Sequence, residues 1–404
     1  MQRRYPHNII KVAIDPNNIK LVSYVPHGAV PDIRGFAPSI VAYNLTKNLK
    51  QISAVTICNR ETYRKEYEVD SEIGPIYRIK EGRIYRRLFR KITKLDPYPL
   101  HARAAKIVNS VSPDIFHAHQ LEFPVDDFLR RLDKKIPLVI HSHGVNIKLS
   151  PKRGNADLYI AVSKYAKNEL VENGYPEKII EVIHNGVDTE MFKPALPDEK
   201  RAIKNSLNVP EDTFVISFIG RMQEGKGVDV FLQAAGILLS KYPQLYVFTV
   251  GPEPDNAKKE KRYGWRTNLR RQLSLVYGKR YNEFPRLPHS SLSDIYKITD
   301  IAYLPSLYDL HPLVIIESMA SGCITVSSNV GGIKESISHG STGFLIDKPD
   351  SVEEGVQLIE EIIDHTERYE SIKSNARQFI VDNFDWKISA VKMEKLYFDL
   401  LNDK

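Results

Sequence analysis

The sequence predicts an α/β protein made of two doubly wound domains. Short apolar runs alternate with helix-patterned segments along the chain, which is the order expected of parallel sheets with crossover helices. Several of those runs are continuously apolar, the pattern of strands buried on both faces. The length, 404 residues, also exceeds the roughly 250–300 at which a single core stops growing.

The first series of strands is expected at Ile19–Pro26, Ala54–Cys58, Asp114–His119, Pro137–His143, Leu158–Ser163 and Ile179–Asn185. Helical segments fall between them at Ser39–Lys50, His101–Val111 and Lys164–Asn173. A charged stretch with two prolines, Lys193–Glu199, reads as a linker. Strands then recur at Thr213–Gly220, Leu245–Gly251, Ile301–Ser306, Ile324–Ser328 and Gly343–Ile346. Helices are expected at Val228–Lys241, Leu292–Thr299, Leu313–Ser321 and Ser351–His365, and a last one over Asp385–Asn402, where Trp386, Ile388, Val391, Met393, Leu396 and Leu400 recur at helical spacing.

Composition is that of a globular enzyme, with 42% hydrophobic and 26% charged residues, which argues against disorder, collagen and coiled coil. No apolar run approaches the roughly 18 residues of a membrane span. The basic N-terminus leads into no apolar stretch, so a secretory signal is not expected. Two cysteines without metal-ligand spacing, Cys58 and Cys323, fit a reducing compartment. The net charge of +7 is uneven: residues 1–188 carry 30 Lys+Arg against 20 Asp+Glu, and the remainder is mildly acidic. A basic first half implies a polyanionic or anionic partner on that side.

Three segments of the second half point to chemistry. Gly220-Arg221-Met222-Gln223-Glu224-Gly225-Lys226-Gly227 lies on a strand-to-helix turn, where backbone N–H groups and two cations suit a diphosphate. Its spacing is not that of a Walker loop. Next, Pro305–Gly322 runs from a strand end through a polar loop into an apolar helix. Asp309 thereby falls at the C-terminal edge of the sheet, where open α/β folds bind ligands. Glu317 falls inside the apolar helix and needs donors, which ribose hydroxyls would supply. The third is Gly331-Gly332-Ile333-Lys334-Glu335, a second glycine turn opening a helix.

In this order the segments resemble the retaining glycosyltransferases of family 4, the group 1 glycosyl transferases with the GT-B fold. These carry Gly-Arg-x4-Lys-Gly, then Glu-x7-Glu before a small-residue turn, then Gly-Gly-x-x-Glu. Ile183–Pro194 also resembles their Pro-Asn-Gly-Val-Asp-x-x-x-Phe-x-Pro. The resemblance implies two Rossmann-like domains facing across a cleft: 1–192 for the acceptor and 193–384 for the donor, with 385–404 a helix packing back on the first. It implies transfer of a sugar from a nucleoside-diphosphate sugar, most simply UDP- or GDP-linked, to an acceptor hydroxyl of a glycan or lipid-linked saccharide, without a further cofactor. Arg221 and Lys226 would bind the diphosphate and stabilise the leaving group. Glu317 would hold the ribose and Asp309 would contact the donor sugar. Leu313 and Val314, at the helix start, and Gly35, in the first domain, complete the donor-binding set. His119, ending Asp114–His119, would approach the acceptor, with His117 supporting it and His141–Gly144 lining the same cleft. No Asp-x-Asp motif occurs, so metal-independent catalysis is expected.

Two positions depart from the family pattern. Asp309 replaces the usual Glu and shortens the carboxylate's reach by about 1.5 Å. His311-Pro312 replaces Phe-Gly and removes one backbone donor. The alternative they raise is a catalytically silent scaffold or regulatory subunit. A nucleotide-sugar epimerase would lack the Asn-Gly-Val-Asp and Glu-x7-Glu spacing found here.

Residues 79–95 hold seven Lys or Arg and one acidic residue, and Ile84, Tyr85, Leu88, Phe89, Ile92 and Leu95 form a helical stripe. A basic helix over residues 83–95 would either lie on an anionic membrane, placing the protein on the cytoplasmic face, or pack on the first sheet. No nucleic-acid motif occurs, so nucleic acid is not an expected partner.

Overall fold

The computed structural model describes residues 19–32, 35–61, 63, 65–80, 89, 91–93, 99–144, 155–254 and 257–402. They form two compact units. The first gathers the described residues through Val162, with Ala166–Ile183 and the segment from Ser389 onward; the second holds Ser163–Tyr165 and His184–Ile388.

Among the described residues the first unit has an eight-stranded sheet: β1 (Ile19–Val25), β2 (Ile52–Asn59), β3 (Tyr67–Asp70), β4 (Gly74–Ile79), β5 (Ile115–Ala118), β6 (Leu138–Ser142), β7 (Leu158–Ala161) and β8 (Ile180–Val182). Its order is β3-β4-β2-β1-β5-β6-β7-β8, and only the β3–β4 pair is antiparallel. Helices α1 (Ala37–Asn48), α2 (Leu100–Val111), α3 (Val125–Leu129) and α4 (Lys164–Glu172) join the strands. The central strands β5, β6 and β7 are buried at every residue, as their unbroken apolar runs imply.

The second unit's sheet contains β9 (Phe214–Ile219), β10 (Leu245–Val250), β11 (Tyr281–Phe284), β12 (Ile301–Leu304), β13 (Ile324–Ser328) and β14 (Phe344–Ile346). The order is β11-β10-β9-β12-β13-β14, with every pair parallel. Counted from β9 this is the 3-2-1-4-5-6 arrangement of a Rossmann sheet. Around it lie α5 (Pro197–Ser206), α6 (Val228–Lys241), α7 (Tyr263–Tyr277), α8 (His289–Ile298), α9 (Leu313–Ala320), α10 (Val352–Asp364), α11 (Glu370–Asn383) and the start of α12 (Trp386–Asn402). One apolar core joins the sheet to α6, α8, α9, α10 and α11.

Residues 184–192 group with the second unit. There Val187 bridges Asp385, Thr189 Oγ1 donates to Asp385 at 2.5 Å, and Arg377 donates to the carbonyls of Thr189 and Phe192. Part of the stretch read as a linker is helical, since α5 opens on Pro197. Proline is suited to a first helical turn, where no N–H is needed. From Ser389, α12 belongs to the first unit, and its Glu394 carboxylate accepts the N–H groups of Lys50 and Gln51 at 2.6 and 2.7 Å. Most of residues 83–95 lies outside the described residues. Among the described residues no helix is long and apolar enough to cross a membrane.

Candidate active site

Open α/β sheets bind ligands beyond the strand ends where the strand order reverses. In the second sheet that point lies between β9 and β12. The loops leaving β9, β12 and β13 carry the three segments singled out in the sequence, and they meet there.

Two glycines permit the meeting. Gly227 has φ +72°, and a Cβ on it would stand 1.7 Å from the Pro305 carbonyl oxygen, so no side chain fits. At Gly332 a Cβ would stand 1.6 Å from the Leu310 carbonyl oxygen. Backbone hydrogen bonds cross the same seams: Leu307 N–H to the Gly225 carbonyl at 3.1 Å, and Gly332 N–H to the Asp309 carbonyl at 3.0 Å. The middle loop, 305–312, is clamped from both sides.

That clamp sets the charged groups. Lys226 Nζ is ion-paired with Asp309 Oδ2, while Asp309 Oδ1 accepts the Leu310 N–H at 2.9 Å. Arg221 is exposed at the start of the first loop. Beyond Pro312, α9 opens at Leu313 and Val314, whose N–H groups belong to the first turn and have no intrahelical acceptor. Glu317 is 5% exposed and accepts from the Tyr296 hydroxyl at 3.2 Å. Burial raises its pKa, against the smaller effects of His289 and of the Tyr296 bond. His311 is buried, its ring beside Ser336 Oγ at 3.3 Å and its carbonyl accepting from Asn185 Nδ2 at 2.8 Å. Arg221, Lys226, Asp309, Leu313, Val314 and Glu317 thus belong to one unit and to the loops and helix at one sheet edge.

Glu335, of the third segment, accepts the backbone N–H groups of Lys164 and Tyr165 at 2.9 Å each and meets His184 Nε2 at 3.0 Å. Burial raises its pKa, but these donors outweigh it and hold the carboxyl at about 2.

One group went unnoticed in the sequence. Arg266, 1% exposed in α7, donates to Asp229 Oδ1 at 2.6 Å, to Glu260 Oε2 at 2.7 Å and to the Met222 carbonyl at 2.7 Å. Glu260 Oε2 in turn accepts the Glu224 N–H at 3.3 Å. A buried guanidinium therefore holds the Arg221–Lys226 loop from behind. Asp229, two residues past the glycine turn, was the available signal; its partner lies 37 residues on.

In the first sheet the order reverses between β1 and β5. Gly35 follows β1, with φ +72° and its N–H on Asp32 Oδ2 at 2.6 Å. His119 follows β5 and is 4% exposed, with Nε2 at 3.3 Å from Ser23 Oγ and Nδ1 at 3.2 Å from His143 Nε2. His117 meets the Tyr397 hydroxyl through Nδ1 at 2.6 Å. The rings of His117, His119, His141 and His143 form one stack, with neighbouring centroids 4.3–5.4 Å apart. Burial pushes all four imidazoles down, His117 and His143 to about 3.

Comparison with known proteins gives two family matches. Residues 199–379 match the model of the "Glycosyl transferases group 1" family, and residues 39–191 match that of "Glycosyltransferase Family 4". The lipopolysaccharide 1,2-N-acetylglucosaminetransferase of Salmonella typhimurium is 24% identical over 388 residues, covering 94% of this chain and 98% of that protein. The D-inositol 3-phosphate glycosyltransferase of Thermobispora bispora is 29% identical over 252 residues, covering 61% of this chain. The match spans just over half of that relative's length, 56%. Among solved structures, sucrose-phosphate synthase from Thermosynechococcus elongatus superposes with a TM-score of 0.77 at 19% identity, covering 96% of this chain and all of that one. Anabaena HepE, solved with UDP and glucose, gives 0.73 at 20% identity, covering 95% and 100%.

Two outcomes are expected from this geometry. Arg266→Met strands Asp229 and Glu260 and should cost about 3 kcal/mol of stability, with faster amide exchange across residues 222–226; unchanged exchange there would reject the bracing role. The four stacked histidines should make the fold acid-sensitive. Their folded pKa values lie below the ordinary 6.5, so the unfolded chain binds more protons and stability falls as pH drops from about 6.5 toward about 3. A urea midpoint unchanged between about pH 7 and pH 5 would contradict this.

Proposed function

The chain belongs to the group 1, family 4 glycosyltransferases of GT-B fold, and on that premise we propose that it transfers a sugar from a nucleoside-diphosphate sugar to an acceptor hydroxyl with retention of anomeric configuration. The observation that carries this reading is the convergence of Lys226, Asp309 and the opening turn of α9 at the switch point of one Rossmann sheet. Donor-bound relatives of the fold support it: Anabaena HepE was solved with UDP-glucose.

In this reading the donor's diphosphate meets Lys226, Arg221 and the first-turn N–H groups of Leu313 and Val314. A helix N-terminus and two cations stabilise a negative diphosphate, and they do so most as charge grows on the departing oxygen. They supply the electrostatic task without calling on a metal. Glu317 takes the ribose: its carboxylate is buried, with Tyr296 as its hydrogen-bond donor among the described residues, and hydroxyl donors lower the cost of keeping it charged. Asp309 lies next to the diphosphate cation, where the donor sugar begins. Gly35 is assigned to donor binding and His119 to the acceptor. The acceptor is a glycan or lipid-linked saccharide, with the basic sequence of residues 83–95 suited to an anionic membrane on the cytoplasmic side. The match to a lipopolysaccharide 1,2-N-acetylglucosaminetransferase supports a glycan acceptor.

A panel of UDP-, GDP- and ADP-sugars tested by calorimetry, with product analysis for each binder, names the donor. Absence of nucleoside-diphosphate binding at millimolar concentration would sink the proposal. Lys226→Ala and Glu317→Ala should each lose about 2 kcal/mol or more of transition-state stabilisation, roughly thirtyfold in kcat/KM; full turnover in both variants would remove the site. Asp309→Asn releases Lys226 from its carboxylate and should tighten nucleoside-diphosphate binding at least about threefold while slowing transfer. Weaker binding by that variant would show that the ion pair organises the cation instead of competing for it.

A further inference from the structure

The buried histidines of the first unit form a chemical centre of their own. Parallel strands β5 and β6 pair His117 with Val139. Side chains alternate faces along a strand, so His117, His119, His141 and His143 all fall on one face of the sheet. Ligating nitrogens of His117, His119 and His141 lie within 4.8 Å of one another, and all three residues are buried. His141 is 1% exposed, and neither of its ring nitrogens has a hydrogen-bond partner among the described residues; nor has Nε2 of His117.

Orphaned ring nitrogens are costly. A buried polar atom without a partner forfeits its hydration, and here three such atoms belong to two neighbouring rings, His117 and His141. We propose that His117, His119 and His141 form a binding site for a late first-row divalent cation, zinc being the reference ion.

The donor set suits it, since imidazole favours zinc, copper and nickel over magnesium or calcium. Zinc–nitrogen bonds of about 2.0–2.1 Å place tetrahedral ligand atoms about 3.4 Å apart; the rings are stacked at 13–32° to one another, so ligation turns them out of the stack as well as drawing their nitrogens in from within 4.8 Å. With Nδ1 held by the Tyr397 hydroxyl, His117 presents Nε2 to the cluster, the arrangement in which an outer partner fixes a ligand's tautomer. The fourth position falls to water or to His143, which stacks 4.3 Å from His141.

The site shares His119 with the acceptor reading, but it is tested by metal content and spectroscopy and not by transfer, so its failure and that of the glycosyltransferase reading are separable. The full-length protein is stripped with chelator, loaded with zinc or cobalt, desalted and assayed by mass spectrometry of the metal. The expected result is one ion per chain, a raised Tm, and the visible bands of tetrahedral cobalt. X-ray absorption on zinc-loaded wild type should count three or four imidazoles. His141→Gln should weaken binding at least about tenfold. Less than about a tenth of an ion retained per chain, two or fewer imidazoles at the zinc, or wild-type affinity in His141→Gln would overturn the proposal; in the first case the orphaned nitrogens are met by buried water. Should His141→Gln fail to fold, the ligand count on wild type decides.

Discussion

No side chain fits between the loops that edge the second sheet, and the candidate donor site depends on that exclusion. The carbonyl oxygens of Pro305 and Leu310 occupy the places where Cβ atoms of residues 227 and 332 would stand. Backbone therefore meets backbone on both sides of the 305–312 loop. Only this approach brings Lys226, from the turn after β9, to Asp309, from the turn after β12. A larger residue at either glycine would part the loops and with them the two charges.

Layers behind the loops keep them in place. Parallel pairing of β9 with β12 sets the two strand ends side by side, and the buried Arg266 ties the carbonyl of Met222 to Asp229 and Glu260. A guanidinium serves here because its planar fork reaches a carboxylate, a second carboxylate and a carbonyl at once. Loop geometry is thus set by buried polar contacts behind and by close backbone approach beside, with the sheet core beneath.

Much of the fold was legible in the sequence because central parallel strands are apolar at every position. Two of the strands that escaped notice have another character. Tyr67–Asp70 is a polar edge strand with Val69 largely exposed, and Tyr281–Phe284 lies at the edge of the second sheet with only Tyr281 buried. Helix α7 was missed because its apolar residues do not mark a buried face: Trp265, Leu275 and Val276 are exposed, and only Arg266 and Leu273 are buried. In α5, proline and charge resembled a linker although they mark a helix start. At the site, fixed spacings made Arg221, Lys226, Asp309 and Glu317 legible as a set. The Arg266 network was not, since it joins residues far apart in sequence through chemistry that alone looks like solvated charge. The histidines were legible singly, on two strands at alternate positions. Their meeting required the β5–β6 register, which no local pattern reveals.

Helix α12 adds a matter of timing. The first unit is discontinuous: Glu394, which accepts the N–H groups of Lys50 and Gln51, and Tyr397, which meets His117, both follow residues 184–388 of the second unit along the chain. During synthesis from the N-terminus, residues 184–388 are polymerised before these partners are. The earlier segment of the first unit waits, with His117 and the Lys50–Gln51 turn uncovered, for α12 to close it. The order of translation and the order of completion therefore run opposite ways.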